Sequence, residues 1–346
     1  MGSGTATLEE ASYCLQGTRA RLRDLPLDQK RRCTETHLGG RILDWIRQSQ
    51  LEEFKLYVGP PKKSLAFIES LSWFLVLEGR DDSLWQFLRE EAIKRHAAVR
   101  HKAISKQDKR MPWTAQVLGG LANAFLDLDD GMPDRAIMAF IMAHERFGKH
   151  SQLPNVVSLV GIGIAIARHL RRPGTPPGDV SLFDRFMKMI VIRENTAHSP
   201  MTKAQLSLHH PTQPRAQPLL EILHEARESE AKMRWAMASE AKASGRNMQA
   251  ISVLRAAYIL QLQGQLGDAD WLCTVVETYN PAVWRNKHTF LASFESDPKL
   301  HPLRMSSSHA PPKWTRDESK VSPTEILRDR RPGHEQPGGF VANSWA

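Results

Sequence analysis

Between about residues 36 and 298, apolar side chains recur at intervals of three and four, and this pattern restricts the fold more than any other feature of the chain. An α-helix turns once in about 3.6 residues, so such spacing gathers apolar groups on one face, whereas a strand needs alternation. The stripe Ile42, Trp45, Ile46 and the run Leu84, Trp85, Phe87, Leu88 both follow the helical rule. The best strand candidate, Met189-Ile190-Val191-Ile192, continues a helical pattern. The expected class is all-α, with helical hairpins packed as a short solenoid or as an irregular helical domain.

Punctuation supports this class. Thr7 and Glu10 have the spacing of a capping box. Gly39-Gly40 reads as a break, Gly59-Pro60-Pro61 as a stop, and Ser64 as the cap of an apolar helix running from Leu65 to about Leu77. Asp81, Asp82 and Ser83 open the next helix. Pro112 suits a helix start, with the end near Leu128, and Asp129-Asp130-Gly131 turns the chain into a helix from Met132 to Phe147. Pro154 is expected to start the apolar helix that ends at Arg168, His169, Arg171 and Arg172, and Asp179 or Ser181 to start another. Leu219 to about Ala243 reads as one long amphipathic helix, and Gly245, Gly264 and Gly267 punctuate two more.

The domain organisation follows. Residues 1–35 form an N-terminal helical or flexible segment, and residues 36–300 a helical domain. Subdivision is expected at the Pro/Gly loop 173–178 and at 199–218, where four prolines interrupt the period. Residues 301–346 carry six prolines and few aliphatics and read as a disordered tail.

Composition removes several classes. Hydrophobic content of 41% and charged content of 25% suit a folded domain. The longest apolar stretch, from Val156 to Ala167, is about 12 residues, short of the roughly 20 that a spanning helix needs, so no membrane span is expected. Cys14, Cys33 and Cys273 are odd in number and far apart, which supports neither a disulfide framework nor a thiolate zinc site and fits a reducing compartment. Arg19, Arg21 and Arg23 suit a mitochondrial presequence and Glu9 and Glu10 oppose one, so cytoplasm and mitochondrial matrix both stay open.

Ala238, Ala241, Gly245, Ala250, Leu254 and Ala257 are separated by 3, 4, 5, 4 and 3 residues. This spacing resembles the tetratricopeptide repeat, in which small residues let two antiparallel helices approach closely. A second unit looks similar, with Leu118, Leu121, Ala122 and Phe125 on one helix and Ala136, Phe140 and Ala143 on the next. Leu254 and Ala241 replace the aromatics usual in that family, and Leu262 and Gly148 replace its proline. Gly264, Ala269 and Cys273 offer a competing register. The resemblance implies a protein-binding or RNA-associated scaffold, because stacked hairpins present extended concave surfaces.

Local chemical motifs are sparse. His144-Glu145 with His150 has the wrong spacing for a zinc hydrolase, and His209-His210 lies in the Pro-rich segment, so these histidines read as exposed or capping and no metal is expected. Gly161-x-Gly163 lacks the rest of a phosphate loop and reads as close helix packing. No cofactor is expected. The nine tryptophans are read as mostly core, with Trp314 and Trp345 in the tail.

The formal net charge is +9, and it is concentrated in one window. Lys94, Arg95, Arg100, Lys102, Lys106, Lys109 and Arg110 face one acid, Asp108, giving a local charge of +6 suited to phosphates or an acidic protein. Three functional expectations stand. The first is a non-enzymatic scaffold or adaptor that binds other proteins through its helical surface. The second is an RNA-associated, organellar protein that contacts phosphates through residues 94–110. The third is an enzyme whose site has no local motif.

Overall fold

The computed structural model describes residues 6–34, 36–58, 65–101, 111–172, 174–190, 198–237 and 247–307. The chain divides into a unit spanning residues 1–311 and a second of 312–346; the latter lies outside the described residues. The first unit is all-α. Its described helices are α1 (Leu8–Leu22), α2 (Leu27–Cys33), α3 (Leu38–Ser49), α4 (Leu51–Val58), α5 (Leu65–Leu77), α6 (Asp81–Arg100), α7 (Trp113–Leu128), α8 (Asp134–Phe147) and α9 (Val160–Leu170). Then follow α10 (Val180–Met189), α11 (His198–Ser207), α12 (Gln217–Ala226), α13 (Glu230–Met237), α14 (Met248–Leu262), α15 (Leu266–Tyr279), α16 (Pro281–Arg285), α17 (Lys287–Glu295), a 3-10 turn (Pro298–Leu300) and α18 (His301–Ser306). Among the described residues the only β-type pairing is an isolated bridge between Met111 and Val157. No helix there is long and apolar enough to cross a membrane.

Two helices are apolar almost all round and therefore sit inside the protein. α5 buries every residue from Ser70 to Leu77, and α14 every residue from Ser252 to Leu262. Around α5, the helices α1, α3 and α7 pack, and α9 lies against α7. α8 covers α7 and α9, and α10 rests on α8. Around α14 pack α12, α13, α15, α17 and α18. α14 and α15 form a hairpin whose turn uses Gly264 at φ +78, a conformation costly for any residue with a Cβ.

Glycines set the closest crossings. A Cβ on Gly161 of α9 would lie 1.7 Å from the Ala115 carbonyl oxygen of α7, and one on Gly120 would lie 2.6 Å from Ile68 of α5. The reading of Gly161 as a packing glycine is the arrangement found. Gly39 and Gly40 do not break a helix. They form the first turn of α3, where their N–H groups donate to the Glu78 carboxylate at 2.8 and 3.0 Å. Glu78 thereby caps α3 from the end of α5, and Gly39 allows the approach, since a Cβ there would sit 2.8 Å from Phe74.

Four other boundaries differ from expectation. The helix expected from Pro154 begins at Val160, because the preceding backbone is committed elsewhere: Val156 O accepts from Met111 N at 2.9 Å and Ser158 N donates to Thr114 Oγ1 at 2.9 Å. The segment 199–218 is helical at its two ends, and residues 208–216 form the loop between α11 and α12. Pro200 lies in the first turn of α11 and Pro218 in the first turn of α12, where a missing N–H costs nothing. The long helix expected from Leu219 is interrupted between α12 and α13, and residues 238–246 lie outside the described residues. In the expected tail, His301–Ser306 form α18, which touches α14; residues 308–346 lie outside the described residues.

Candidate functional site

Of the seven cations in the basic window, three are described, all on α6. Lys94 Nζ lies 2.8 Å from Glu91 Oε1, and Lys55 Nζ lies 2.7 Å from Glu91 Oε2. The two lysines hold the Glu91 carboxyl below its usual range despite burial. Lys94 itself is exposed, and it shares the buried Glu91 carboxylate with Lys55. Arg95 is half-buried and Arg100 is exposed. Lys102, Lys106, Lys109 and Arg110 lie outside the described residues.

The tetratricopeptide-like spacing divides in the same way. Ala250, Leu254 and Ala257 are buried on α14, while Ala238, Ala241 and Gly245 lie outside the described residues. The partner of α14 across its hairpin is α15, with Ala269 and Cys273 buried, which is where the competing register falls. In the second unit, Leu118, Leu121, Ala122 and Phe125 of α7 and Ala136, Phe140 and Ala143 of α8 are all buried, and the two helices pack together.

An aromatic ledge joins α12 and α15. The rings of His224 and Trp271 stack with centroids 4.3 Å apart and planes 3° from parallel. Arg227 lies 6.0 Å from the Trp271 ring centre, and Asp268 lies 3.8 Å from His224 Nε2. Trp271 is half-buried, His224 and Arg227 are exposed, and Leu266 at the start of α15 is 54% exposed. Trp73, Trp85 and Trp113, by contrast, are core.

A second constellation is buried, and sequence reasoning missed it. Arg255, in the middle of α14, donates from Nε to Leu208 O at 3.1 Å and from Nη1 to Asp297 Oδ2 at 2.7 Å. The other oxygen of Asp297 accepts from Lys299 N at 2.9 Å, so both are used. Lys299 Nζ points to Leu170 O, 3.4 Å away at the end of α9, and Arg171 Nη1 donates to Gln205 Oε1 at 2.7 Å. His209 lies among them. Burial first, then the charges of Arg255, Lys299 and Arg171, hold its ring far below the usual histidine range and hence neutral at pH 7. Burial also pulls Lys299 down to about 8. His209 was expected to be exposed or capping. His210 closes the turn after α11, its Nδ1 accepting from Thr212 N and Gln213 N at 3.2 and 2.9 Å, while His209 turns inward and is buried.

Arg171, His209 and Arg255 border a cavity of about 70 Å³ whose apolar wall includes Phe290 and Phe294. The one signal that could have found the cluster is Arg255 itself, a lone cation inside the apolar run Val253 to Leu260. Among the described residues, no three His, Cys, Asp or Glu side chains are grouped so as to hold a metal ion. No protein-family model, curated protein or solved structure matches this chain.

Proposed function

We propose that this chain is a non-enzymatic helical scaffold that binds another protein, and that the α12–α15 ledge is the contact surface. The observation that carries the reading is the flat stack of Trp271 on His224. Tryptophan and arginine are enriched among residues that dominate protein interfaces, and an aromatic already held in place loses little freedom on binding. Trp271 supplies an apolar anchor and Arg227 a charged rim. The resemblance to tetratricopeptide hairpins supports the same class of function. The exposed thiols of Cys14 and Cys33 suit a reducing setting, either cytoplasm or mitochondrial matrix.

The test is co-purification of the full chain from its native source, with and without nuclease. The proposal expects a protein retained in both preparations and lost from a Trp271→Ala, Arg227→Ala double variant that keeps its melting temperature. Retention that disappears with nuclease contradicts the proposal and favours the RNA-associated reading.

A further inference from the structure

We propose that the cavity between α6 and the end of α8 binds one free α-amino acid with an apolar side chain, because its lining sets an unpaired carboxylate and unpaired guanidinium groups around an aromatic floor. The cavity measures about 420 Å³, within the range of roughly 300–1,000 Å³ that holds small molecules. Asp82, Trp85 and Arg89 of α6 line it, at intervals of three and four residues that place them on one face of the helix. Glu145 and Arg146 come from the last turn of α8.

Each charge in this lining has a definite standing. Glu145 is taken, since its Oε1 lies 3.1 Å from Arg185 Nη2. Arg146 meets no carboxylate among the described residues; its guanidinium lies 5.6 Å from the Trp85 ring centre. Asp82 and Arg89 likewise enter no ion pair among the described residues. The two stand seven residues apart, roughly 10 Å along the helix axis, too far for a direct pair. The cavity thus offers one free carboxylate and two guanidinium groups without a carboxylate. A lining of both signs suits neither a simple anion nor a simple cation. It fits a zwitterion, with the ammonium on Asp82 and the carboxylate on Arg89 and Arg146.

The floor gives the second line. Trp85 is 3% exposed, and its Nε1 has no hydrogen-bond partner. An indole N–H only donates, and a buried donor left unpaired is costly, so an acceptor beside it is favoured. A ligand carboxylate is such an acceptor. The buried Phe147 and the half-buried Leu153 extend the apolar wall, which suits an aliphatic or aromatic side chain and strengthens the polar contacts beside it. Asp82, Arg89 and Arg146 are exposed, so a ligand reaches them from solvent.

The test is thermal unfolding of the full chain with L-leucine or L-phenylalanine. The controls are isoamylamine, which lacks the carboxylate, and 4-methylpentanoate, which lacks the ammonium, all at matched ionic strength in sodium chloride. A saturable rise in melting temperature with either amino acid, and with neither fragment, supports the proposal. Asp82→Asn and Arg89→Gln each keep a polar side chain at the rim and remove one charge. Each should weaken the amino acid's apparent affinity by about tenfold or more. Both positions are exposed, and the melting temperature without ligand checks the fold of each variant. If Asp82→Asn does not fold, Arg89→Gln decides alone. The proposal is overturned if neither amino acid gives a saturable effect, if a fragment matches the amino acids, or if the folded variants respond like the wild type.

Discussion

Arg255 Nη1 and Asp297 Oδ2 meet at 2.7 Å with 3% and 1% of their side chains exposed, so α14 is tied to the 3-10 turn after α17 by an ion pair shielded from water. Such a pair adds little over an apolar substitute, but breaking it leaves a buried charge without compensation. Asp297→Asn should therefore cost about 3–5 kcal/mol in urea unfolding. The double variant Arg255→Met, Asp297→Leu should recover most of that loss. A double variant as unstable as Asp297→Asn would show that the pair itself, and not the stranded guanidinium, sets the stability.

Lys299 makes stability rise with pH over a narrow window. Its folded-state value is about 8, pulled down first by burial and opposed by Asp297, against 10.5 for the unfolded chain. Below pH 8 both states hold the proton and the cost is constant. Above pH 8 the folded protein releases it first, so the unfolded state binds more protons and stability increases. Cys273 acts oppositely from pH 9.0 upward, because burial pushes its thiol up to about 12. Between pH 8 and 9 the wild type should gain about 1 kcal/mol relative to Lys299→Met. Parallel curves for the two proteins would contradict the placement of Lys299.

The α7–α9 crossing depends on the absence of one methyl group. Gly161→Ala would place a carbon 1.7 Å from Ala115 O, so the helices must separate, at a cost of about 1–3 kcal/mol or more. Gly267 lies in the first turn of α15 with nothing within 4 Å of an added Cβ. Gly267→Ala should instead stabilise by about 0.4–1 kcal/mol, mainly by restricting the unfolded chain. Chemical denaturation of both variants checks the contrast, and a neutral Gly161→Ala would mean that the two helices are not in contact there.

Local rules were readable: Thr7 and Glu10 make the expected capping box, Asp179 caps α10 through Leu182 N, and α5 runs from Leu65 to Leu77. Gly39-Gly40 looked like a break because two glycines weaken a helix, and the Glu78 carboxylate that overrides this comes from a residue 38 or 39 positions away. Prolines made the whole of 199–218 look like a loop; Pro211 and Pro214 do lie in one, whereas Pro200 and Pro218 sit in first turns, where proline is tolerated. The buried cluster was hidden for the same reason as the Glu78 contact. Arg255 meets Leu208 across 47 residues and Asp297 across 42, and Lys299 reaches Leu170 across 129, separations that periodicity does not report.

We propose Trp271 as the anchor for a protein partner. The most direct test is the dissociation constant between the partner recovered from the native source and the purified chain, measured for the wild type and for Trp271→Ala. Truncating an interface anchor costs about 2 kcal/mol or more, so the account predicts at least about a thirtyfold loss of affinity at an unchanged fold by circular dichroism. An affinity equal to that of the wild type would contradict it.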